Sequence, residues 1–159
     1  MTRKEKAMQN FLEGYNCSQS IILAFEDFIN MDIETALKVV SPFGGGMGRL
    51  REVCGSVSGM FMVMGFLYGY NKPDDYNGKK ELYEHIQELA RRYEEANGSI
   101  ICRDLLGLSV KKQEATPEMR TEEYYKKRPC KEKIGSAADI LEKYLQELEE
   151  TDEICRISK

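Results

Sequence analysis

The sequence predicts an all-α fold: a single-domain helical bundle of about six helices packed around a glycine-rich apolar central helix. Three observations predict it. Apolar residues recur at helical spacing through most of the chain, and no segment shows convincing strand alternation. From Val53 to Tyr70 there is no charged side chain. That uncharged run is preceded by a turn rich in glycine (Gly44, Gly45, Gly46 and Gly48), which no regular helix or strand would choose. At 159 residues the chain fits one domain over residues 1–150, with a polar tail at 151–159.

The elements follow in order. Residues 2–14 read as a short amphipathic helix with Ala7, Phe11 and, at the edge of the stripe, Leu12 inward, ended by Gly14. Asn16 reads as the N-cap of a second helix reaching about residue 30, with Cys17, Ile21, Phe25 and Phe28 in one stripe. Asp32 caps a third, through Ile33, Ala36, Leu37 and Val40, and Pro42 stops it. The glycine turn and the central helix come next. Gly55 and Gly59 form a G-x-x-x-G pair that lets another backbone approach. A long helix is expected over about 79–97, with Leu82, Ile86, Leu89, Ala90 and Tyr93 inward and Gly98 as its C-cap. Ser99 reads as the cap of a short helix holding Cys102, ended by Gly107. Residues 108–123 are the least patterned and read as a loop or lid. Pro129 opens the last helix, whose stripe is Ile134, Ala137, Ala138, Leu141, Tyr144, Leu145 and Leu148.

The uncharged run raises the question of a membrane span. As a helix it would cover roughly 27 Å, barely a bilayer core. Its four glycines and two serines keep its hydrophobicity modest, so a buried central helix is expected and no membrane insertion. The formal net charge of -4, with Lys+Arg 23 against Asp+Glu 27, argues against nucleic acid as the main partner. The start, MTRKEKAMQN, has no apolar signal core, so a cytoplasmic location is expected. In a reducing compartment the five cysteines point to catalytic, redox or metal-binding thiols rather than structural disulfides.

Cys17, Cys54, Cys102 and Cys130 each fall in the first turn of a predicted helix. Unpaired backbone N–H groups and the macrodipole make that position positive, and a thiolate there is stabilised. Arg49 and Arg51 before Cys54, Arg103 beside Cys102, and Lys126, Lys127, Arg128 and Lys131 around Cys130 push the same way. There is no C-x-x-C, which removes a thioredoxin-type motif and a zinc ribbon. If the thiols act together, the fold must gather them from four helices. Taken singly, each cysteine is equally well a small core residue. Cys155, late and uncapped, reads as exposed tail. The glycine turn could hold an anion or cofactor on its N–H groups. It matches no nucleotide-binding pattern, and a tight turn for close packing is the preferred reading. His85, the single histidine, reads as a boundary residue, and the run from Lys126 to Arg128 as solvated.

The segments GYNCSQ around Cys17, FGGGMGRLREVCGSVSG around Cys54 and GSIICRDLLG around Cys102, with the late Cys130, resemble the C_GCAxxG_C_C family. That family is a group assigned a redox role, with four characteristic cysteines and a C-G-A-x-x-G motif. The resemblance covers nearly the whole chain and implies that Cys17, Cys54, Cys102 and Cys130 are the family cysteines; Cys155 has no counterpart. Ser56 stands where the motif has alanine. The resemblance also implies association with a transport system. A similar domain in split-Soret cytochromes, thought to carry an iron–sulfur centre, keeps a cluster in play.

Three functions follow. The first is a thiol–disulfide oxidoreductase, with Cys54 attacking and Cys17 or Cys102 resolving, whose partner is a redox protein or a small thiol or disulfide. The second is an iron–sulfur or other metal site with all four thiolates as ligands. The third is a non-catalytic helical interaction module. A homo-oligomer stays open in each.

Overall fold

A computed structural model describes residues 1–109 and 112–151. Among these residues there are eight α-helices and no strand beyond one isolated bridge. The helices are α1 (Arg3–Leu12), α2 (Cys17–Ala24), α3 (Ile33–Val40), α4 (Gly55–Tyr68), α5 (Tyr76–Asn97), α6 (Cys102–Leu105), α7 (Glu122–Lys127) and α8 (Cys130–Glu150). The all-α expectation holds. Cys155 and most of the polar tail lie outside the described residues.

Local chemistry sets the helix starts. Thr2 and Asn16 each close a capping box, with Glu5 and Gln19. Asp32, Asp75 and Thr121 accept a backbone N–H from the first turns of α3, α5 and α7. Gly98 ends α5 in the left-handed region at φ 92°. The second helix is shorter than its stripe suggested: it stops at Ala24, and Glu26–Phe28 continues as a 3-10 turn. Pro42 does not end the chain's turning either. It sits inside a further 3-10 turn, Ser41–Phe43, where its missing N–H is harmless.

α4 is the central element, buried on nearly every side through Val57, Met60, Val63, Met64 and Leu67. It packs against α2, α5 and α8, while α8 also lies along α1. No described helix is long and apolar enough to cross a membrane. The G-x-x-x-G pair works as expected. A Cβ on Gly59 would come 2.8 Å from the Ile21 Cβ, and one on Gly55 2.8 Å from the Phe43 carbonyl oxygen. These contacts bring the start of α2 against the start of α4.

Gly44–Gly48 forms a left-handed turn. Gly45, Gly46, Met47, Gly48 and Arg49 all have φ between 62° and 69°, closed by the Arg49 N–H to the Gly45 carbonyl at 3.0 Å. L-residues resist this hand by roughly 1–2 kcal/mol each, which explains the glycine content. Arg51 is also left-handed, at φ 58°. The chain then pairs briefly with residues 100–103. Val53 bridges Ile101, the Cys54 N–H reaches the Ile100 carbonyl at 2.8 Å, and the Cys102 N–H reaches the Glu52 carbonyl at 2.6 Å.

Residues 112–121 cross the surface as a strap, as the loop reading expected. The segment after it differs: Glu122–Lys127 is helical. Thr121 as cap, Glu122 and Glu123 in the first turn and Lys126 and Lys127 in the last are an ordinary start-and-stop signature.

Candidate thiol site

Each of the four cysteines stands at a helix start. Cys17, Cys102 and Cys130 are the first residues of α2, α6 and α8, and Cys54 is the N-cap of α4. Three devices bring them together. The Gly55 contact holds α2 on α4: a Cβ there would stand 2.9 Å from the Cys17 Cβ. The short bridge sets Cys102 beside Cys54. Gly46 leaves room for Cys102, since a Cβ at Gly46 would lie 2.6 Å from the Cys102 Cβ. All four cysteines line one cavity of about 70 Å³. An outer cleft of about 560 Å³ shares Leu106, Tyr124, Arg128 and Pro129 with it.

Within the cavity the thiols differ. Cys17 and Cys130 both line it, and each is the strongest influence on the other's acidity. Cys17 is pushed well above the ordinary thiol range, first by its interaction with Cys130 and then by burial. Cys130 is lowered to about 7, first by its interaction with Cys17 and then, against burial, by the charges of Arg128, Arg51 and Arg120. Cys102 is 8 % exposed, and burial raises it although Arg51 Nη1 donates to its sulfur at 3.5 Å. Cys54 lies 3.1 Å from Ser56 Oγ and accepts a longer contact, 3.8 Å, from the Tyr93 hydroxyl. Burial, then the neighbouring Cys54, push Tyr93 upward. All four described cysteines are free thiols.

The thiols share a cavity, yet among the described residues no three His, Cys, Asp or Glu side chains are grouped so that they could hold a metal ion. The donor set, as arranged, does not fit a four-thiolate cluster. The glycine turn is divided: Gly45 and Gly46 line the cavity, Gly44 packs on Asn16, and Gly48 has open space beside it.

Several neighbours differ from their expected roles. Arg51, expected beside Cys54, turns to Cys102 and to Gln113 Oε1 at 2.8 Å. Arg103 turns away to Glu52 at 3.2 Å. Arg128, expected in solvent, lines the cavity and pairs with Glu118. His85 is a core residue, 7 % exposed, with Nδ1 2.5 Å from the Tyr144 hydroxyl and its ring on Tyr68. Arg120 was not anticipated as part of the site. It lies 4.3 Å above the Phe11 ring and donates to the Phe11 and Tyr15 carbonyls at 3.1 and 3.3 Å. Its one sequence signal was a cation in a polar loop, where Lys111 and Lys112 carry the same charge.

A family model described as "Putative redox-active protein (C_GCAxxG_C_C)" matches residues 15–144. No curated protein and no solved structure matches the chain. The matched span holds Cys17, Cys54, Cys102 and Cys130. With most of its length and all four cavity thiols inside that match, the chain belongs to the C_GCAxxG_C_C family.

Proposed function

We propose that the protein is a thiol–disulfide redox protein whose working pair is Cys130 and Cys17. One observation carries this: Cys130 and Cys17 open two helices onto the same cavity, where Arg128, Arg51 and Arg120 favour a thiolate at Cys130 while Cys17 is made harder to ionise. A nucleophile must be a thiolate near neutral pH, and a resolving thiol must wait protonated beside it. Cys130 therefore takes the attacking role in place of Cys54, and Cys17 keeps the resolving role.

The cycle balances as follows. The Cys130 thiolate attacks one sulfur of an oxidised partner. A Cys130–partner S–S bond forms, the partner's own S–S bond breaks, and its second sulfur leaves as a thiolate. Cys17 gives its proton to that leaving thiolate and attacks Cys130 Sγ. The Cys17–Cys130 disulfide forms and the partner's first sulfur departs as a thiolate. Two protein thiols lose two electrons, and the partner disulfide becomes two reduced sulfurs.

The test is stoichiometric oxidation of reduced protein with a disulfide reagent, followed by peptide mapping. A Cys17–Cys130 linkage as the first product is expected. First linkages confined to Cys54 or Cys102 would overturn the assignment.

A further inference from the structure

The thiol cavity has a charge imbalance that thiol exchange alone does not require. Arg51, Arg120, Arg128 and Lys133 line it, and no carboxylate does. Of these, Arg128 pairs with Glu118. Among the described residues, Arg51, Arg120 and Lys133 have no carboxylate within ion-pair distance. Arg51 is the extreme case. It is 6 % exposed, sits in a left-handed backbone conformation, and its side chain is held by neutral groups, the Gln113 amide oxygen and the Cys102 sulfur. A buried cation without a counter-ion is penalised by several kcal/mol, and strained backbone of this kind clusters at ligand sites. The cavity is also small. Its volume of about 70 Å³ is well below the ≈300–1,000 Å³ of sites for drug-sized ligands.

We propose that the substrate of the Cys130–Cys17 pair is a small anion carrying a sulfane sulfur, of the thiosulfate class, seated against Arg51, Arg120 and Lys133. This rests on the thiol–disulfide reading above. Three demands meet in that class. The oxidant must offer an S–S bond to a thiolate. It must be small enough to seat wholly inside the cavity; a peptide or glutathione disulfide can present no more than its S–S bond there. It must carry negative charge, because these cations meet only neutral acceptors among the described residues: Arg51 the Gln113 amide oxygen, Arg120 the Phe11 and Tyr15 carbonyls, and Lys133 Asn97 Oδ1. Guanidinium groups suit oxyanions through paired N–H donors, and they offset the repulsion between an anionic donor and the attacking thiolate.

The step is a sulfur transfer. The Cys130 thiolate attacks the outer sulfur of thiosulfate. The Cys130 Sγ–S bond forms, the S–S bond of thiosulfate breaks, and the electron pair leaves on sulfite. Cys130 is then a persulfide. Cys17 attacks Cys130 Sγ, the protein disulfide closes, and the outer sulfur departs as hydrosulfide carrying the Cys17 proton. Two thiol sulfurs are oxidised, and one sulfane sulfur is reduced to sulfide.

The experiment uses full-length reduced protein and thiosulfate, with sulfite release and intact mass as readouts. In the Cys17→Ser variant we expect one sulfur atom added at Cys130 and one sulfite released per chain. Arg51→Gln and the milder, half-buried Lys133→Gln should each raise the half-saturating thiosulfate concentration about tenfold or more, the loss of one charged hydrogen bond. Glutathione disulfide run in parallel separates the two claims. A Cys17–Cys130 linkage from glutathione disulfide with no reaction from thiosulfate overturns the substrate and leaves the pair standing. Linkage from neither reagent overturns both. Thiosulfate transfer equally efficient in both cation variants overturns the anion seat.

Discussion

Gly55 of α4 and Cys17 of α2 touch with no space between them: a methyl group on Gly55 would stand 2.9 Å from the Cys17 Cβ. The Phe43 carbonyl oxygen, 2.8 Å from the same point, blocks the other way out. In an open helix Gly→Ala is favourable by roughly 0.5–1 kcal/mol. Here the clash is with backbone, and overpacking of about 1–3 kcal/mol should win. Gly55→Ala is therefore expected to lower the denaturant midpoint and to slow Cys17–Cys130 closure. A variant as stable as the parent would mean that the two helices are not in this contact.

The acidity of Cys130 has a pH signature. Its folded value, about 7, lies below the ordinary thiol value of 9.0. Alkylation of reduced protein at Cys130 should rise with a midpoint near 7, and Cys17→Ala should move that midpoint up. The sign for stability follows from the lowered value. The contribution is present above the ordinary thiol pKa and is lost as pH falls through about 7. Cys17 works in the opposite sense: its value is raised, so its contribution is present below the ordinary range and is lost at high pH. Reduced protein should thus gain stability between about pH 7 and 9, on the order of 1–2 kcal/mol. A flat profile in reduced protein, or one unchanged by Cys17→Ala, would contradict the pairing.

Arg120 fastens the strap to α1 through the Phe11 ring and two carbonyls. Arg120→Ala removes those ties and also one of the charges that lower Cys130. Measured well above pH 7, where the thiolate is already formed, only access should matter. Cys130 alkylation is then expected to accelerate by roughly fivefold, the effect of about 1 kcal/mol of lost fastening. Amide exchange in residues 112–121 should quicken in parallel. Unaltered exchange there would show that the strap is held by other contacts.

Far from the thiols, Tyr144 and His85 share a buried hydrogen bond of 2.5 Å. Tyr144→Phe keeps the ring and removes the hydroxyl. Leaving the imidazole nitrogen without that partner should lower stability by about 1–3 kcal/mol, read as a fall in the thermal midpoint. Thiol reactivity should stay as it was. A change in the Cys130 alkylation profile would reveal coupling between the two ends of the bundle.

What could be read from residue order was mostly local. Asn16, Asp32 and Pro129 announce helix starts, and the stripe on α8 names its buried face residue by residue. Four cysteines at helix starts were visible for the same reason. The G-x-x-x-G pair marked a close approach without naming α2 as the neighbour. What stayed hidden depends on residues distant in sequence. Nothing near Cys130 indicates that its neighbour is Cys17, and nothing near Arg51 indicates Gln113. The hand of the Gly44–Gly48 turn was concealed because glycine is indifferent to sign, and Met47 and Arg49 follow it against their own preference. The helix at Glu122–Lys127 was legible from its cap and charges and was lost inside a polar stretch.

A bond between the sulfurs of Cys17 and Cys130 would close a ring of 114 of the 159 residues. Closing a ring of roughly 100 residues removes enough freedom from the denatured ensemble to be worth about 4.7 kcal/mol in the chain-entropy description. Oxidised protein should accordingly melt well above reduced protein, with the gap abolished by Cys130→Ser. Redox state and resistance to unfolding would then be two readings of the same bond.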